Sequence, residues 1–104
     1  MANDITAPHL WVLDSTGAVK AAGTKVRVLH VHYQGAVSGD DLILQEYDSA
    51  GTAKSAVVLK APSTLAVDIS YMPHGILLNG LAVGTIDAGT AYVMIEGYEI
   101  PGAA

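Results

Sequence analysis

Hydrophobic and polar positions alternate along most of this chain, and turn-forming residues break the alternation at intervals of roughly eight to twelve positions. Period two is the signature of a pleated strand with one face inward. It is cleanest over residues 64–70, where Leu65, Val67 and Ile69 share one side and Ala66, Asp68 and Ser70 the other. The longest strand expected is 24–34, TKVRVLHVHYQ, rich in the valine and tyrosine that suit a pleated surface. Residues 9–14 hold the single tryptophan, and 41–48 and 54–60 flank a second turn. Residues 75–78 and 81–85 surround Asn79-Gly80, which predicts a two-residue hairpin. Residues 90–96 close the series with Val93 and Ile95 inward. No segment keeps a helical period over three turns. The expected architecture is therefore all-β: one small β-sandwich over 1–104, jelly-roll-like in one variant, of about eight short antiparallel strands. Residues 1–8 are expected to form an extended arm ending at Pro8, and 100–104 a short tail.

One motif occurs twice. Asp14-Ser15-Thr16-Gly17 and Asp48-Ser49-Ala50-Gly51 both carry Asp-Ser-x-Gly, each followed three residues later by a lysine. A calcium loop would need more oxygen ligands at alternating positions, and a phosphate loop more glycines and a following helix. Aspartate at the first position of a type I turn and glycine at the fourth fit a hairpin corner instead. Both are expected to be hairpin corners.

Composition narrows the classes. Charged residues are 14% of the chain against roughly 25% in ordinary soluble domains, while hydrophobic residues reach 51%. Two accounts remain open: a surface built from neutral polar groups and backbone, or one covered by copies of the chain or by another protein. Net charge is −5 and no basic residue follows Lys60, which argues against nucleic-acid binding. With no cysteine there is no disulfide or thiolate chemistry. No apolar run resembles a membrane helix, so a soluble protein is expected, with no membrane partner.

Catalytic constellations are scarce. Asp40 and Asp41 are adjacent and would point to opposite faces of a strand. No serine sits in a Gly-x-Ser-x-Gly elbow. His30 and His32 are two apart, so both imidazoles project from one face and could reach one metal. The pair resembles the opening of the cupin metal motif, but Ala36 stands where cupins place glutamate. In the second cupin motif, after Pro73-His74-Gly75, Leu78 stands where the histidine ligand belongs, so two of the four ligands are missing. His9, His74 or a distant aspartate could complete a site. A pH-sensitive pair on an exposed face is the other reading. No cofactor and no catalytic residue are expected.

Taken in order, the turns and strands form a pattern: Leu-Asp-x-x-Gly after the tryptophan, Val-Arg-Val, Gln34-Gly35-Ala36-Val37-Ser38-Gly39-Asp40, Leu-Ile-Leu, Tyr-Asp-x-x-Gly, Gly75 to Val83, and Ala88 to Ile95. Over roughly residues 11–96 this resembles the small all-β virion proteins of tailed bacteriophages, among them capsid decoration (cement) proteins. The resemblance implies a non-enzymatic protein on the outside of the head, made in the bacterial cytoplasm. Its partners would be the major capsid protein and copies of itself, often as trimers. It fixes no binding residues. Those expected to carry the interface are the arm residues Asn3, Asp4, Ile5, Thr6 and Pro8, and the anchors Trp11, Tyr71, Met72 and Tyr98. The alternatives are a neck or tail accessory protein, and a cupin-like metal enzyme or ligand binder using His30 and His32.

Overall fold

A computed structural model describes residues 3–7 and 9–99, the last three by their backbone alone. Pro8, the 100–104 tail and the side chain of Tyr98 lie outside the described residues. Among the described residues there are seven strands: β1 (Leu10–Leu13), β2 (Gly17–Gln34), β3 (Asp41–Tyr47), β4 (Ala53–Lys60), β5 (Ala66–Ser70), β6 (Ile76–Ile86) and β7 (Thr90–Glu99). They join in one antiparallel sheet of order β1-β7-β2-β6-β3-β4, with β5 on β2.

The sheet becomes a β-sandwich because β2 and β6 are long and bend. Gly17 to Lys20 pair with β6, residues 25–28 with both β6 and β7, and 30–34 with β7 on one side and β5 on the other. One layer is thus β1-β7-β2-β5, and the other β2-β6-β3-β4. Between them lie Trp11 and Leu13, Val26, Val28, Val31 and Tyr33, Leu42 and Leu44, Leu81, Val93 and Ile95, all with almost no exposure. Each such side chain contributes roughly 1.5–3 kcal/mol of hydrophobic stabilisation.

The bend corrects the reading of Asn79-Gly80. Lys20 pairs with Leu81 and Lys25 with Asn79, so residues 21–24 of β2 bulge out opposite Gly80 alone. Residues 76–86 are consequently one strand, and one fewer is present than the hairpin reading required. Gly80 has φ +74°, and an added Cβ would stand 2.6 Å from Tyr47 Cδ2 and 2.8 Å from the Ala21 carbonyl oxygen. Asn79 stitches the bend: its Oδ1 accepts from the Gly23 amide at 2.6 Å, and its Nδ2 donates to the Tyr47 carbonyl at 2.8 Å. A hairpin dipeptide has here been used as a bulge.

The two Asp-Ser-x-Gly segments differ as well. The second is the β3–β4 hairpin corner. Asp48 Oδ1 accepts from the amides of Ala50 and Thr52, both at 2.9 Å, the Gly51 amide reaches the Asp48 carbonyl, and Gly51 has φ +85°. The first is not a hairpin, because β1 pairs with β7 while Gly17 opens the part of β2 that pairs with β6. It is a corner between layers, and Asn3 fills the partner role a neighbouring strand would otherwise take.

Candidate functional site

The regular face on the outside of the β1-β7-β2-β5 layer concentrates the features a partner could read. Strand register places Leu10, Met94, His30 and Ser70 in one row, and Val12, Tyr92, His32 and Asp68 in the next. These positions alternate with the core residues Trp11, Val93 and Val31, so they point outward by the pleat. Leu10 and Met94 are 41% and 42% exposed and Tyr92 is 38% exposed. The face is apolar over β1 and β7 and ionisable over β2 and β5. Beside it lies an open depression of about 330 Å³ lined by His9, Leu10, Leu29, Met94, Ile95 and Glu96, almost wholly apolar.

The ionisable half is a three-residue cluster. Asp68 Oδ1 lies 2.9 Å from His30 Nε2 and 2.7 Å from His32 Nδ1, so one carboxylate oxygen serves both rings. The hydrogen bonds from His30 and then His32 hold the Asp68 carboxyl below its ordinary value of 3.8. The His32 ring also stands 5.9 Å from that of Tyr92, tilted by 43°. The His-x-His spacing therefore does bring two imidazoles to one face, and the distant aspartate that meets them is Asp68. Among the described residues, no group of three or more His, Cys, Asp or Glu side chains is arranged to hold a metal ion. The two ring nitrogens are turned to a shared hydrogen-bond acceptor.

The arm is tied to its own chain. Asp4 and Val12 exchange backbone hydrogen bonds at 2.8 and 2.9 Å, so the arm lies on the outer edge of β1. Asn3 Oδ1 accepts from the amides of Asp14 and Ser15. Asp4 Oδ1 accepts from the Thr6 hydroxyl at 2.7 Å and its amide at 3.1 Å, which lowers the Asp4 pKa. Ile5 packs against the core. Residues 3–6 are thus held on their own chain through the Asn3 side chain, the Asp4 backbone and the Asp4–Thr6 contacts.

The expected anchors separate. Trp11 is fully buried, with Lys20 Nζ 5.6 Å from its ring centroid, so it is a core residue and not an exposed anchor. All four residues of β1 are apolar, so alternation did not give its phase, and the burial of Trp11 is fixed by the pairing of β1 with β7. Tyr71 is half-buried against the core, and burial raises its phenol pKa. Met72 is exposed at 57%, in the turn after β5, where its amide donates to Ser70 Oγ at the end of the first row. Asp40 is buried and structural, its Oδ2 accepting from the amides of Ala36 and Val37, while Asp41 pairs with Lys60 at 2.7 Å. Leu10, Tyr92 and Met94 were missed by sequence reasoning, although the inward phase of Val93 and Ile95 signals that Tyr92 and Met94 face out.

Comparison of the chain with protein-family models, with curated proteins and with solved structures finds no match.

Proposed function

We propose that this chain is a non-enzymatic structural protein of a tailed-phage particle: a decoration protein that oligomerises on the head surface and stabilises the capsid lattice. The observation that carries the reading is the outward apolar row on β1 and β7, with Leu10, Tyr92 and Met94 exposed on a regular sheet face. A chain with 14% charged residues has few ions with which to flank such a row. Coverage by a copy or by the major capsid protein removes it from water at about 25 cal/mol per Å². A protein that binds only the assembled lattice adds its binding free energy to the lattice's stability, which is how cementing works without chemistry. The order of turns and strands, similar to that of small phage virion proteins, supports the same direction.

The test is to mix purified protein with expanded heads that lack it. Saturable binding at many copies per head, with raised heat resistance of the heads, is the expected result. Binding at a single vertex would move the assignment to the neck. Absence of binding, together with stoichiometric metal lost in a His30→Gln, His32→Gln variant, would replace it with a metal-dependent function.

A further inference from the structure

We propose that His30, Asp68 and His32 form a proton-controlled clasp that holds strand β5 on the sheet, firm when the imidazoles are protonated and slack when both are neutral. This does not depend on the role proposed above.

Strand β5 is an edge of the layer. It pairs with β2 alone, over Ala66 to Ser70. Its inward residues Val67 and Ile69 are only partly buried, unlike the inward residues of β1 and β7. It is entered through Leu65 at φ +69°, a left-handed conformation that a branched side chain adopts only when its surroundings hold it there. That hold is a pair of backbone bonds, from the Leu65 amide to Pro62 and from the Gly35 amide to the Leu65 carbonyl. On the outer face, among the described residues, the side chain that hydrogen-bonds across to β2 is Asp68, the ionisable residue of β5.

Protonation changes what that tie is worth. Two neutral rings can each donate one N–H to the shared oxygen. Because the acceptor is a carboxylate the contact is charge-assisted in both states, and a charged ring adds to it the modest attraction of an exposed ion pair. Few other groups compete. From β7, Tyr92 lies beside His32, Met94 opposite His30, and Glu96 is engaged with Arg27 of β2 at 4.0 Å. Tyr71, just past β5, reaches β2 through its amide to the Leu29 carbonyl. Asp68, held below its ordinary pKa by its two histidine bonds, stays ionised throughout the range in which imidazoles change charge.

Amide hydrogen exchange of residues 66–70 tests the clasp, corrected for intrinsic exchange and referred to the β3–β4 ladder. Between about pH 8 and about pH 5.5, protection of β5 is expected to rise about two- to fivefold in the wild type, the range that exposed ion pairs give. It is expected to stay flat in Asp68→Asn and in the double variant His30→Gln, His32→Gln. Should Asp68→Asn fail to fold, the double variant carries the comparison. Constant protection in the wild type, or an equal rise in a folded variant, overturns the proposal.

Discussion

Asn3 completes the corner at Ser15: its Oδ1 accepts from the Ser15 amide at 2.9 Å while its Nδ2 donates to the Ser15 carbonyl at 3.0 Å. A third bond, from the Asp14 amide at 2.8 Å, makes this one side chain the closure of the passage between layers. Asn3→Ala leaves these groups partly buried without their partner, and each lost bond is worth about 0.5–1.5 kcal/mol. The expected outcome is a destabilisation of about 2 kcal/mol, read as a lower denaturant midpoint at unchanged slope. An arm dedicated to a neighbour would instead leave stability untouched and weaken only association.

Two glycines with similar backbone angles should answer differently to alanine. Gly51, at φ +85°, has nothing within 4 Å of an added Cβ, so Gly51→Ala costs only the left-handed backbone, about 1–2 kcal/mol. Gly80, at φ +74°, would drive its Cβ against Tyr47 and two carbonyl oxygens of β2. Gly80→Ala is expected to cost about 3 kcal/mol or more, since overpacking adds to the backbone penalty. Thermal or chemical unfolding of the pair checks the bulge directly. Equal costs would mean that residues 79–80 form an open turn.

The outward row and the core should separate by phenotype. Leu10→Ser with Met94→Ser removes exposed apolar surface, so stability is expected to change by less than about 1 kcal/mol while self-association and head binding fall. Trp11→Ala empties a fully buried site and is expected to cost about 3–5 kcal/mol. Sedimentation velocity and unfolding curves on the same samples read both effects.

Acid should loosen the β3–β4 corner. Amide hydrogen bonds, first from Thr52 and then from Ala50, hold the Asp48 carboxyl below its ordinary 3.8. A depressed folded pKa means that Asp48 stabilises the fold above the unfolded value, and that this contribution is lost as pH falls through the folded value. Asp48→Asn, which keeps an acceptor oxygen but cannot titrate, is expected to show a shallower loss of stability below about pH 4. Identical acid limbs would remove Asp48 from the account.

What the sequence displays depends on the range of the interactions. Alternation identifies the strands, because Val93 and Ile95 must be inward whatever their neighbours are. Asp48-Ser49-Ala50-Gly51 is legible because its turn closes on its own backbone. Asp14-Ser15-Thr16-Gly17 has the same residues, but its geometry depends on Asn3 and on which strands Leu13 and Gly17 pair with. Asn79-Gly80 misleads for the same reason: residues 21–24, more than fifty positions away, decide that it is a bulge. The candidate site lies at this longer range throughout. His30 and His32 can be read as a pair, but Asp68 joins them only once β5 is known to lie on β2.

The most direct test of the central claim is quantitative mass spectrometry of purified particles from a phage that encodes this chain. The account predicts the protein in the virion at many copies per head, in fixed proportion to the major capsid protein. Its absence from particles, with a stable monomer that binds no head or tail, would contradict it.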